Sequence, residues 1–254
     1  MKASDLFIKC LENEEVEYIF GVPGEENEDI MISLIDSKIK FIPTRHEQGA
    51  AFMAAIYGRL TGKAGVCLST LGPGAMNLTT GLAEAHLGNM PMVALTGQGG
   101  LHRFNKENFQ FIDVVRSFRP ITKWNASVTT ASIIPEVIRK AFKMAEMERP
   151  GPAHIELPED VAKTETDGKP FAKSMVRRPS ADSEAVENAI KMIKNAKNPL
   201  ILAGNGCVRT RVSKQLNSFV EERGIPIVHT QMGKGAISDK SEYSLFTTGI
   251  NAKD

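Results

Sequence analysis

One recurring unit does most to limit what this chain can fold into. It is a short apolar run, a turn rich in glycine, proline or hydroxyl residues, and then a stretch with helical spacing. It recurs at "VEYIFGVPG", "IKFIPT" and "AGVCLST", and "MPMVALTGQ" supplies another run of the same kind. Runs like "AGVCLST" are almost continuously apolar, as strands buried on both faces of a parallel sheet are. Between them, Leu6, Phe7, Cys10 and Leu11 recur at helical spacing behind Ser4, a candidate N-cap, and Ile30, Leu34 and Ile35 mark a second helix. Strand and helix in alternation predict an α/β fold, a parallel sheet with helices on both faces.

The pattern lapses over 99–125, "GGLHRFNKENFQFIDVVRSFRPITKW", an irregular stretch of the length that usually carries function. Helical spacing returns at Ile133–Ala145, and "RPGPAHIELP" reads as a turn and a last strand. Residues 163–182 are polar, Pro-bearing and aperiodic, so they read as a linker. After it, Val186, Ala189, Ile190 and Ile193 share one helical face. "NPLILAGNG", "VSKQLNSFVEERG" and "IPIVHT" then read as one βαβ crossover of an open sheet, with too little chain beyond to finish it.

Composition narrows the functional classes. The 254 residues suffice for one large domain or two ordinary ones, and the formal net charge is +1 without a basic block. Nothing in that balance points to nucleic acid or an anionic membrane. Cys10, Cys67 and Cys207 lie far apart, which argues against a disulfide framework and suits a reducing cytoplasm. The N-terminus has no long apolar segment of the signal-peptide kind, and no run approaches the length a spanning helix needs. The five histidines, 46, 86, 102, 154 and 229, show no zinc-site spacing, so no metal ligand is assigned.

Three stretches could carry chemistry. "STLGPGAMN" joins a strand to a helix through Gly72, Pro73 and Gly74; it suits a ligand approached closely by backbone, and equally a tight turn. It lacks the lysine of a P-loop and the acidic ribose partner of a dinucleotide site. Gly204 and Gly206 in "AGNGCVRTR" form a weaker motif of the same sort. In "TRHEQGAAFMAAIYGRLTG", Glu47 stands at a helix start followed by Gly49, Ala50 and Ala51. As a structural residue it is a first-turn carboxylate favoured by the helix dipole, worth about 0.3–1 kcal/mol. As a catalytic residue it is an acid kept accessible by small neighbours. Loops after parallel strands gather at one sheet edge, where ligands bind, so both readings stay open on pattern alone.

Taken in order, "FGVPGEEN", the block from "TRHEQGAA" to "VALTGQ", "FQFIDVVRSFRPITKW" and "RPGPAHIELPEDV" resemble the thiamine diphosphate-dependent enzymes, and among them the acetolactate synthase catalytic subunits. The resemblance implies a pyrimidine-binding domain over 1–162 and the front of a Rossmann-like central domain over 183–254. The diphosphate-binding domain with its GDG…N magnesium motif has no counterpart in the chain. It implies an enzyme that decarboxylates pyruvate and condenses the product with a second 2-oxo acid, for branched-chain amino acid synthesis. Glu47 matches the family's catalytic glutamate, which bonds the aminopyrimidine N1′ and promotes proton loss from thiazolium C2. Val22, Pro23 and Gly24 would line the pyrimidine edge, with Thr70, Pro73 and Asn77 as further contacts. Gln110 would lie near the reacting carbon, Phe109 beside the substrate pocket, and Arg149 would touch FAD in a flavin-bound member.

The resemblance further implies a homodimer or higher homo-oligomer, a chain carrying the diphosphate-binding domain, and a small regulatory subunit. Two departures stand out: Glu25 occupies a position where the family often has glycine, and Glu159 replaces a lysine of anabolic members. With most of the flavin-binding region outside the sequence, FAD is only weakly implied. Alternatives are a catalytically incomplete or assembly chain, a related 2-oxo acid decarboxylase, and, resting on Gly204 and Gly206 alone, a nucleotide-binding module.

Overall fold

The computed structural model describes residues 1–249 except 105, 174, 177 and 178. The chain divides into two compact units, Met1–Arg178 and Pro179–Asp254.

The first unit is built on a six-stranded parallel sheet. Its strands are β1 (Tyr18–Gly21), β2 (Lys40–Pro43), β3 (Gly65–Ser69), β4 (Met92–Gln98), β5 (Trp124–Ser127) and β6 (Pro152–Pro158), in the order β2-β1-β3-β4-β6-β5. Every residue of β3, β4 and β6 is buried, which is why these runs read as continuously apolar. Alternate residues serve alternate faces. Val66, Leu68, Val93 and Leu95 join a core with α1 (Ala3–Asn13), α2 (Glu28–Leu34) and α7 (Ile134–Glu146). The other face receives α3 (Glu47–Thr61), which packs on β3 and on α5 (Thr79–Gly88).

The small residues of α3 are explained by this packing. Ala50, Ala51, Ala54 and Ala55 are wholly buried, and a side chain on Gly81 of α5 would collide with Ala51. Only Gly49 leaves open space beside it. The row of small residues therefore serves chiefly to bring helix and sheet together, rather than to clear room for a ligand.

Several local expectations are corrected. The N-cap of α1 is Lys2, not Ser4. Ser4 is buried inside the helix and accepts a 2.9 Å hydrogen bond from Ser33 Oγ. Ile35 falls beyond the end of α2 and is exposed. The irregular stretch after β4 contains a five-residue helix at Val114–Phe118 and the edge strand β5. Here α4 is the short helix Gly72–Met76 after β3, and Val114–Phe118 is α6. Residues 164–173 run along α1: Thr166 N donates to Met1 O at 2.9 Å, and Asn13 Nδ2 to Phe171 O at 2.7 Å.

The second unit holds a three-stranded parallel sheet of β7 (Ile201–Ala203), β8 (Ile227–His229) and β9 (Ser244–Thr247) around Ala203, Val220, Ile227, Ala236 and Ile237. The third strand goes beyond the single crossover read from the sequence. The helix at Ser183–Asn195 buries none of its residues; its apolar positions Val186, Ile190 and Ile193 all remain partly exposed.

Candidate active site

The order β2-β1-β3 makes the chain turn opposite ways after β1 and after β2, so a crevice opens at the C-terminal ends of β1 and β3. The loops that follow these strands meet there. A Cβ on Gly24 would lie 2.6 Å from Thr70 Cβ, closer than real side chains approach, so glycine is what lets the two loops touch. Gly74 sits against the same threonine: its Cβ would lie 2.8 Å from Thr70 Cγ2 and 3.3 Å from Glu47 Oε1. Val22 N donates to Leu68 O at 3.2 Å, tying the β1 loop to the end of β3, and Pro23 stands exposed beside it.

Glu47 is the first residue of α3, but it does not cap the helix. His46 does: its Nδ1 accepts from Gln48 N at 3.1 Å. The carboxylate of Glu47, a residue only 9 % exposed, instead turns to the next helical segment. Asn77 Nδ2 donates to Glu47 Oε2 at 3.0 Å, while Oε1 accepts no hydrogen bond from the described residues. A buried carboxylate with one oxygen held and one oxygen open has a definite direction in which to bond a ligand. Ser69 Oγ, buried at the end of β3, likewise has no partner among the described residues.

Gln110 reaches the crevice from the segment after β4. It adopts a left-handed backbone (φ 56°), and its carbonyl lies where a side chain on Gly72 (φ 48°) would have to go. Gly24, Thr70, Phe109 and Gln110 line a cavity of about 450 Å³, together with Glu26 and Arg103. Phe109 and Gln110 are exposed. Pro73 is exposed at the start of α4. Arg149 is not brought to this crevice; it precedes β6 at the opposite edge of the sheet.

Some groups at this edge carried no signal in the sequence. Thr70 Oγ1 donates to Glu26 Oε2 at 2.6 Å, and Arg103 lies 3.6 Å from Glu159. Beside β4 and β6 a second cavity, of about 480 Å³, is lined by Gln98, Phe104, Phe111, Asp113, Ser127 and Glu156. Glu156 is buried, and its pKa is pushed up to about 7, mainly by loss of solvent. A 2.9 Å hydrogen bond from Gln98 Nε2 opposes the shift. Ser127 eases it too, though its hydroxyl does not complete a well-formed bond. A carboxylate inside a run such as "AHIELP" announces neither its burial nor its partner.

Fold and crevice define an α/β domain whose strand order reverses beside a crevice, the place where open parallel sheets take their ligands. Residues 1–117 match the model of the thiamine pyrophosphate enzyme N-terminal TPP binding domain, and 186–254 that of the thiamine pyrophosphate enzyme central domain. The chain belongs to the thiamine pyrophosphate enzymes. It is 42% identical over 258 residues to a Methanococcus aeolicus protein described as "Probable acetolactate synthase large subunit", covering 99% of the chain and 43% of the relative. It is 35% identical to the acetolactate synthase large subunit of Corynebacterium glutamicum, over 99% of the chain and 41% of that protein. With the chloroplastic acetolactate synthase of Arabidopsis thaliana it shares 36% identity, over 98% of the chain and 38% of that protein. The chain thus spans less than half the length of the relatives it matches. Among the described residues, no helix is long and apolar enough to cross a membrane.

Proposed function

We propose that this chain supplies the aminopyrimidine-binding half of the active site in an acetolactate synthase-like carboligase. Pyruvate would be decarboxylated and joined to a second 2-oxo acid. The observation that carries this reading is Glu47, with Oε2 held by Asn77 and Oε1 open beside the glycine loop. The cradle suits a flat ring: Gly24 and Gly74 press on Thr70 with no side chains of their own, and Ser69 Oγ is left without a partner.

When bound, thiamine diphosphate supplies a carbon nucleophile that adds to the carbonyl of a 2-oxo acid and accepts the electrons released with carbon dioxide. The work of the chain's own residues is to hold and polarise. Glu47 Oε1 would share a proton with the pyrimidine nitrogen it faces, a general acid–base role of a kind worth ~10²–10⁴-fold in rate. Asn77 fixes the carboxylate, so that no reorientation is needed when the proton moves. Val22, Pro23 and Gly24 would wall one edge of the ring, and Thr70 and Pro73 the other. Gln110 would meet the substrate side, with Phe109 shielding it from water.

Magnesium would be held by the diphosphate-binding domain, carried on the same polypeptide or on another chain. A homodimer or larger homo-oligomer, and a small regulatory subunit, belong to the same reading. So does a cytoplasmic setting, supported by the free thiols of Cys10, Cys67 and Cys207. FAD, with Arg149 as a contact, would belong to the opposite edge of the first sheet.

The test is acetolactate formation from pyruvate by this chain assembled with the diphosphate-binding domain, thiamine diphosphate and Mg²⁺. Product that depends on both parts is expected; absence of product from the assembled wild type overturns the proposal.

A further inference from the structure

Glu26 performs a task at this crevice that the proposed function does not include. Its backbone is fixed from one side: a Cβ on Gly97 would lie 2.7 Å from Glu26 O. Its carboxylate Oε2 accepts from Thr70 Oγ1 at 2.6 Å, joining the loop after β1 to the loop after β3 across 44 residues. The neighbouring turn is held as well, since Gly24 N donates to Asn27 Oδ1 at 3.0 Å.

The consequence lies in the threonine. A β-branched side chain has one stiff torsion, so sending the hydroxyl to one side sends the methyl to the other. With Oγ1 committed to Glu26, Thr70 Cγ2 faces the space beside Gly74, which Glu47 Oε1 also borders. Thr70 thus turns its methyl to the wall next to the open oxygen of Glu47, where Ser69 Oγ, 3.2 Å from a Cβ on Gly74, is the hydroxyl already present. A rotated Thr70 would bring a second hydroxyl donor to that space, where it would compete for Oε1.

We infer that Glu26 is a positioning residue: it locks Thr70 with its methyl toward Gly74 and so keeps Glu47 Oε1 free for the cofactor ring. This rests on the proposed function. No other described residue donates a hydrogen bond to the Glu26 carboxylate, and the run "GEEN" on its own reads as a solvated acidic turn.

The assembled enzyme tests it by a double-mutant cycle on thiamine diphosphate affinity, read by calorimetry, with urea midpoints checking that each variant folds. Glu26→Ala is expected to weaken affinity about five- to tenfold, the scale of one net hydrogen bond. Thr70→Val, which has no hydroxyl to misdirect, should remove that dependence, so that Glu26→Ala changes affinity less than about twofold in its background. Glu26→Gln keeps an acceptor and should stay near wild type. Unchanged affinity in Glu26→Ala, or equal losses in both backgrounds, overturns the role of Glu26 alone. A wild-type enzyme that binds no thiamine diphosphate overturns the proposed function, and the role of Glu26 with it.

Discussion

Asn77 Nδ2 donates a 3.0 Å hydrogen bond to Glu47 Oε2, joining the residue after α4 to the first residue of α3. The bond leaves the second carboxylate oxygen open, the one on which the proposed role rests. Asn77→Ala removes the donor and frees the carboxylate to turn, but leaves a surface position that water can fill. We expect kcat of the assembled enzyme to fall about fivefold, the effect of about 1 kcal/mol for one net hydrogen bond, with the urea midpoint nearly unchanged because water takes the place of the exposed amide. Wild-type kcat in this variant would show that Asn77 does not hold the acid in its working position.

Gly72 meets two demands at once: a left-handed backbone and a contact with the Gln110 carbonyl. Gly72→Ala should cost about 1–3 kcal/mol in stability, from strain plus displacement of the Gln110 segment. Equilibrium urea unfolding measures it. A midpoint equal to wild type would mean that the two loops are not in contact.

Glu156 makes stability depend on pH in an unusual direction. Burial raises its pKa from 4.5 to about 7, so across that window the folded protein holds a proton the unfolded chain has lost. Stability then falls as pH rises from about 4.5 to 7 and levels off above, where the carboxylate is charged in both states. Glu14 adds to this trend: burial pushes it up to about 7 although Arg139 lies 2.9 Å away. Glu156→Gln should match wild type near pH 4.5 and exceed it by roughly 1 kcal/mol or more at pH 8. Parallel stability curves for the two proteins would refute the buried, proton-holding state of Glu156.

The thiols should separate by burial. Burial pushes both Cys10 and Cys67 up to about 12, while Cys207 is partly exposed. A thiol reagent at pH 8 should modify Cys207 in the folded protein and reach the other two only on unfolding. Mass mapping of the modified peptides reads the order; early modification of Cys67 would contradict the buried β3.

Much of the fold was legible in the sequence, because β1, β3, β4 and β6 are buried on both faces and read as apolar runs between turns. β5, "WNAS", was not: it is a half-exposed edge strand beside β6 with no apolar signature. β9, "SLFT", escaped as an edge strand of only four residues, with Leu245 and Phe246 exposed. The start of α1 differs because Ser4 has the chemistry of an N-cap but bonds Ser33 of α2. At the site, Glu47, Thr70, Asn77 and Gly24 come together from one sheet edge, as the alternation of strands and loops implies. Glu26 was invisible, because its meaning depends on a threonine distant in sequence. Glu156 was equally silent, since desolvation is a property of the fold.

The proposed role of Glu47 is that of the acid that activates the cofactor. Its most direct test is hydrogen–deuterium exchange at thiazolium C2 of thiamine diphosphate bound to the assembled enzyme, comparing wild type with Glu47→Gln. The substitution keeps size and hydrogen-bonding capacity but replaces a carboxyl that can take and give a proton with an amide that cannot. Exchange slowed by ~10²–10⁴-fold, with cofactor still bound, is the result predicted for a general acid–base residue. Exchange at the wild-type rate in Glu47→Gln would contradict it and leave Glu47 as a structural partner of Asn77.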